Sequence, residues 1–184
     1  MPTEKEKMIA GEPYVAMDQE LASERLAARQ AIHRYNASAP EQFKERAQIL
    51  ERLLGAYHKT AFIEPEFRCD YGYNIHLGKA FYANFGCVML DVCPITIGEY
   101  VKFGPNVQLY TAAHPIDPDE RATFTEFGKP ITIGDKVWIG GSTIVLPGVT
   151  IGEGTTIGAG SVVTKPMPPR VVAAGNPCRV IREI

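Results

Sequence analysis

Few groups in this sequence could do chemistry, and one of them is set apart by its surroundings. His114 opens the stretch His-Pro-Ile-Asp-Pro-Asp-Glu-Arg-Ala-Thr-Phe-Thr-Glu-Phe-Gly-Lys-Pro130, the longest break in an otherwise regular pattern. An imidazole titrates near ~6.5, so a histidine at a loop mouth is a candidate general base at neutral pH. Three other histidines occur, and two of them, His33 and His58, fall in a region read as helical. Three histidines meeting around zinc are therefore not expected, and no metal is expected. Cys69, Cys87, Cys93 and Cys178 form no C-x-x-C pair and read as small buried hydrophobes. No serine or cysteine sits beside a histidine to suggest an acyl-enzyme. Near the C-terminus Arg179 and Arg182 stand three apart, and with Lys165 they offer the cations a phosphorylated ligand needs; a solvated basic end is the alternative.

The elements that must hold these groups come in two kinds. From Leu77 onward an aliphatic or small residue falls every six positions, at Leu77, Ala83, Met89 and Ile95. After a two-residue offset the beat resumes at Ile97, Phe103 and Leu109. It continues past the His114 break at Ile133, Ile139, Val145, Ile151, Ile157 and Val163. Hexads in phase are the signature of a parallel β-helix, three strands to a triangular coil of 18 residues. The repeats predict about four full coils, with residues 61 to 76 adding part of another. Glycine follows the aliphatic position at 78, 98, 104, 134, 140, 152 and 158, which suits corners of positive φ. Asn84 is a polar residue at one of these glycine positions.

Before the hexads, residues 18 to 59 read as two helices. Leu21, Ala28, Ile32 and Tyr35 share one side of the first, and Phe43, Ala47, Leu50, Leu54 and Tyr57 stripe the second. So small a pair must lay its stripes on the rest of the chain, which gives an N-terminal helical segment over 1–60 and a β-helix over 61–184, with an inserted loop at 115–130 and a C-terminal tail. Asn84 and His114 fall ten residues apart around an 18-residue circuit, on different edges of the prism. They meet only across an interface between chains, which predicts a symmetric oligomer, and a C3 trimer matches the three-sided section.

Composition adds exclusions. The chain has 184 residues, 45% hydrophobic and 22% charged, with a formal net charge of −2. Nothing in that balance draws it to nucleic acid or an anionic membrane. No run approaches the ~18 apolar residues of a membrane span, and the first residues lack an apolar secretory core, so a cytoplasmic location is expected.

Six stretches, EKEKMIAGEPY, FRCDYGYNIHLG, FYANFGCVMLDVCPI, YTAAHPIDP, KPITIGDKVWIGG and VVAAGNPCRVI, carry a resemblance that runs from Glu4 to the C-terminus. The chain resembles the sugar O-acetyltransferases of the left-handed hexapeptide-repeat family. The resemblance implies the left hand, which ordinary crossover rules do not supply. It also implies a homotrimer with acetyl-CoA lying along the prism between subunits, and an N-terminal helical domain bordering the acceptor cleft. His114 matches the family's catalytic base, and Asn84 the residue that holds the acetyl and acceptor end. Asp70 and Asp91 fall where relatives line the acceptor pocket. Gly141, Ala159, Thr164, Lys165, Arg179 and Arg182 match positions that contact CoA. DYGYNI and CVMLDVCPI read like members that acetylate maltose, so maltose or glucose is the expected acceptor; a galactoside, another oligosaccharide or an antibiotic is the alternative. Galactoside-acetylating relatives have two consecutive carboxylates where this chain has Asp91-Val92, and one near Ala16. Two rival readings differ in kind: a metalloenzyme resembling the γ-class carbonic anhydrases, and a non-catalytic scaffold.

Overall fold

In the computed structural model, which describes residues 1–184, the hexads wind into a left-handed parallel β-helix. Its first face stacks Ala56–Tyr57, Ile75–Leu77, Ile95–Ile97, Ile131–Ile133 and Thr150–Ile151. The second face stacks Phe62–Ile63, Tyr82–Ala83, Lys102–Phe103, Trp138–Ile139, Thr156–Ile157 and Val171–Gly175, and Cys178–Glu183 closes it as an antiparallel last strand. The third stacks Arg68–Cys69, Val88–Leu90, Gln108–Tyr110, Ile144–Val145 and Val162–Val163. That makes five complete coils and part of a sixth, one more than the visible hexads predict. The extra coil opens at Ala56, where Tyr57 pairs with Leu77. Its own beat, Tyr57, Ile63 and Cys69, is present in the sequence but overlaps the end of the helical stripe.

Every residue of the predicted beat, from Leu77 to Val163, is buried in one continuous core. Each removes about 1.5–3 kcal/mol of apolar side chain from water when large and aliphatic. Between coils the backbone satisfies itself, as where the Gly134 N–H donates to the Ile151 carbonyl at 2.8 Å. The hexad glycines serve a different need from the one expected. None of the seven has positive φ; that conformation falls at Ala80, Tyr100, Asn106, Lys136 and Ser142, two residues past a hexad glycine in each case. The glycines instead let successive coils approach closely: a Cβ on Gly140 would lie 2.5 Å from the Ala159 nitrogen.

Three helices precede the coils. α1 (Glu4–Ala10) was not anticipated, although Thr3 and Glu6 form a full capping box at its start. α2 (Gln19–Asn36) is capped by Asp18 and buries Leu21, Ala28, Ile32 and Tyr35, the predicted side. α3 (Phe43–Leu53) buries Leu50. Phe43, at the top of its stripe, stays 59% exposed, with its ring 6.2 Å from Phe62. Asn36 fastens α2 to the prism, its amide oxygen accepting from Phe67 N–H and its nitrogen donating to the Phe67 carbonyl, both at 2.9 Å.

The spacing of the coils locates the chemistry. In the lower coils Ile133 stacks on Ile151, eighteen residues on. In the upper coils Tyr57 stacks on Leu77 and Leu77 on Ile97, each twenty residues on. The added residues all lie at one edge, between the third face and the first, at 70–74 and 90–94. The His114 insertion leaves from the same edge in the coil below.

Candidate active site

At that edge the chain past Ala112–Ala113 leaves the prism and returns as Thr125–Gly128, pairing antiparallel with Ala113 opposite Phe127. One step further along this ladder sets His114 beside Glu126. The N-terminal strand Tyr14–Val15 adds to the other side of the returning strand, with Tyr14 opposite Glu126. The inserted loop is thus structured: besides its strand it holds α4 (Pro118–Arg121), whose first turn is capped by the Asp117 carboxylate.

His114 is exposed and lines two adjoining cavities. The larger, about 300 Å³, is polar: Tyr14, Arg25, Arg29, Asp70 and Glu126 face it together with Val92 and Ala112. The smaller, about 180 Å³, is bounded by Met17, Arg121 and Phe124, and shares Ala16, Met17, His114 and Glu126 with the first. Tyr14 Oη donates to Glu126 Oε2 at 2.7 Å, and Arg25 donates to Tyr71 Oη at 2.6 Å and to the Ala16 carbonyl at 2.7 Å. Burial raises the Asp70 carboxyl above its ordinary range, while Arg29 and Arg25 pull it back. Burial also pushes Tyr71 up to about 12 and raises Tyr14, so both phenols stay protonated, Tyr14 donating to Glu126 and Tyr71 accepting from Arg25. Beyond Asp70 the polar cavity runs into a groove of about 530 Å³, with Arg29, Asp70 and Leu90 common to both.

Of the residues singled out from sequence, His114 and Asp70 meet in one cavity. Asp91 does not line it. Its carboxylate is fully buried and turned inward, accepting from the N–H groups of Asp70 at 3.0 Å, Tyr71 at 2.9 Å and Gly72 at 2.7 Å. Burial raises Asp91 to about 7 against the pull of those N–H groups, with nearby Asp70 adding to the rise. Asp91 therefore shapes the turn that aims Asp70, and its neighbour Val92 faces the cavity instead. Asn84 stands after Tyr82–Ala83, on the edge between the second and third faces, and lines neither His114 cavity. Gly141 and Ala159 lie down that same edge, packed coil on coil with the Gly160 N–H donating to the Gly141 carbonyl at 2.9 Å. Thr164 and Lys165 follow Val162–Val163 on the His114 edge, whereas Arg179 and Arg182 sit on the antiparallel last strand of the second face. Lys165 and the two arginines are thus carried by different elements of one chain.

Arg25, Arg29, Tyr14 and Glu126 were missed. Arg25 and Arg29 are four apart on α2, one turn on a single face, which is the signal that points them at a common site. Glu126 had only its place inside the His114 insertion. The four cysteines are free and buried, and burial raises their thiols, with Cys87 and Cys93 each at about 11. No three His, Cys, Asp or Glu side chains converge as metal ligands. No helix is long and apolar enough to cross a membrane.

Two family models match the chain: a maltose acetyltransferase hexapeptide capping motif over residues 7–58, and the bacterial transferase hexapeptide repeat over residues 130–165. The galactoside O-acetyltransferase of Escherichia coli K12 is 42% identical over 97% of this chain and 88% of that protein. The crystal structure of a maltose O-acetyltransferase from Clostridium difficile 630 superposes with a TM-score of 0.98 at 51% identity, covering 100% of this chain and 98% of the other. A galactoside acetyltransferase solved in complex with coenzyme A superposes at 0.96 with 42% identity, covering 100% of this chain and 92% of that one. A histidine at a polar cavity, built where the coils are interrupted, sits in a fold matched along its whole length by enzymes of one chemistry, and the chain belongs to the hexapeptide-repeat sugar O-acetyltransferases.

Proposed function

We propose that the protein moves the acetyl group of acetyl-CoA to a hydroxyl of maltose or glucose, with His114 as the general base, in a homotrimer whose sites are shared between neighbours. The observation that carries this reading is the His114 cavity itself: an exposed imidazole faces a chamber lined by two arginines, two carboxylates and two tyrosines, the groups that bind sugar hydroxyls. Asp70 and Glu126 accept from those hydroxyls, and Arg25 and Arg29 donate to them. Val92 and Ala16 line the same cavity and present only carbon to it.

The chemistry asks little more. His114 draws the proton from the attacking hydroxyl as its oxygen bonds to the thioester carbonyl. The Asn84 amide of a neighbouring copy donates to the oxyanion. The imidazolium then returns its proton to the departing thiolate, so atoms and charge balance without a covalent enzyme intermediate. Neither His114 cavity is lined by a serine or cysteine. The edge below Asn84, with Gly140, Gly141, Gly158 and Ala159, is a track without bulky side chains on which a pantetheine arm fits; Arg179 and Arg182 at its foot, and Lys165 on the His114 edge of a neighbouring copy, supply cations for its phosphates.

The test is a thiol-release assay with acetyl-CoA against glucose, maltose, methyl galactoside and serine. Maltose or glucose is expected to give the highest kcat/KM. Equal release with and without any sugar would overturn the transfer reading, and preference for the galactoside would overturn the acceptor.

A further inference from the structure

We infer that the pocket between α3 and the first coil, at the edge where the first face turns into the second, is a binding site for a small organic carboxylate with a flat aromatic body. The pocket is about 350 Å³ and reaches the coil at residues 57–63, on the one edge that carries neither Asn84 nor His114. Three cations line it, Lys44, Arg46 and Lys59, and no aspartate or glutamate does. Its other walls are mostly apolar, with Ala47 and Leu50 from α3 and Tyr57 and Phe62 from the coil.

Arg46 is what marks this pocket as a site. It is only 6% exposed, yet it makes no ion pair. Its Nε donates to Ser38 Oγ at 2.6 Å, and its Nη2 donates to the carbonyls of Ser38 at 3.2 Å and Ala39 at 3.1 Å. Nη1 donates to nothing in the chain. The carbonyls just past α2 thus hold the guanidinium in place and leave its charge whole. A buried cation without a counter-ion is costly, and a carboxylate in the pocket supplies the missing partner. The phenols do not supply it: burial raises both Tyr35 and Tyr57, so they stay neutral, and Glu51 and Glu64, which act on them, line no part of the pocket. Lys44 and Lys59 are exposed and add charge at the mouth. Beside them Phe43, 59% exposed, and Phe62 lie with ring centroids 6.2 Å apart, an apolar wall against which a planar ring packs.

The probe is 2-naphthoate, titrated calorimetrically into the full chain in saturating coenzyme A, so that cations serving the donor are already engaged. One molecule is expected to bind per chain, and the uncharged 2-naphthalenemethanol about tenfold more weakly or worse, the factor a charge-assisted hydrogen bond contributes. Because Arg46 also holds the Ser38 and Ala39 carbonyls, the mapping variants leave it in place. Ala47→Trp fills the pocket, and Lys44→Glu/Lys59→Glu reverses the charge at its mouth. Each is expected to weaken 2-naphthoate about tenfold or more while kcat/KM for acetyl transfer changes less than twofold. Equal affinity for the acid and the alcohol, or no heat up to millimolar naphthoate, overturns the anion site. Naphthoate binding that neither variant weakens lies elsewhere on the molecule and overturns this pocket.

Discussion

Two edges of the prism are built from the same hexads and do opposite things. Along the edge that carries Asn84 the coils keep strict register, and Gly104, Gly140, Gly141, Gly158 and Ala159 leave a smooth track. Along the edge that carries His114 the beat is broken in three successive coils, and the breaks hold Asp70, the Asp91-Val92 corner and the His114 insertion. Repetition makes a surface that a long linear ligand can lie on. Interruption makes the concavity in which a small polar one can be held. The reaction needs both, and one chain keeps them apart.

The sharpest way to break this comparison is at the interrupted edge. His114→Ala is expected to lower kcat about 10²–10⁴-fold, the usual contribution of a general base, with far-UV circular dichroism unchanged because the side chain is exposed and outside the core. A loss under threefold would end the assignment. The regular edge answers to stability instead. Gly140→Ala places a methyl group 2.5 Å from the backbone nitrogen of the next coil, where nothing flexible can give way. It is expected to destabilise by about 3 kcal/mol, the upper range of overpacking, which lowers Tm by roughly 6–10 °C. Gly160→Ala, on the same edge with open space around it and a φ of +71°, should lose only about 1 kcal/mol from backbone strain. Equal losses would show that conformation, not coil contact, is what the hexad glycines serve.

A subtler test concerns how the broken edge holds its shape. Asp91 sits at about 7 in the folded chain because burial disfavours its charge. An unfolded aspartate titrates near ~3.9, so the folded state holds a proton that the unfolded state has lost between these values. Stability from this group is full below about pH 4, falls as pH rises toward 7, and is level above. Asp91→Asn removes that titration together with part of the N–H pairing. The variant should therefore be less stable than wild type at pH 5, and the gap should narrow by about 2.6 kcal/mol by pH 8, measured by urea unfolding at both. A gap that widens with pH would mean that the three N–H bonds outweigh burial.

What could be read in advance follows the same division. Every residue of the predicted beat from Leu77 to Val163 was legible because a coil imposes one period on side chains that stack on their counterparts above and below. His114 was legible for the converse reason, as the residue where that period stops. Which of Asp91 and Val92 faces the cavity was not, since the added corner residues break the alternation that assigns a direction. Arg25 and Arg29 belong to a helix whose docking angle sequence does not fix, and Glu126 reaches the site only because the returning strand pairs beside Tyr14. The glycines were located correctly and explained wrongly: composition marks where backbone comes close, but not whether conformation or proximity asks for it.

The mildest effect bears on how the two edges are joined. Arg179 lies on the last strand of the second face, opposite Ala174, and a Cβ on Gly158 would meet the Ala174 side chain at 2.8 Å. It thus stands at the foot of the smooth track, exposed, its guanidinium donating only to the Cys178 carbonyl. A charge-assisted bond from an exposed arginine to a phosphate contributes on the order of 1.5 kcal/mol, about tenfold in affinity. Arg179→Ala should then raise KM for acetyl-CoA about tenfold while KM for the sugar and kcat move less than twofold, because the guanidinium would grip the far end of the donor and take no part at the imidazole. The split matters more than its size. Were sugar and donor KM to rise together, the smooth edge would not be a separate donor track, and the division of labour between the two edges would have to be given up.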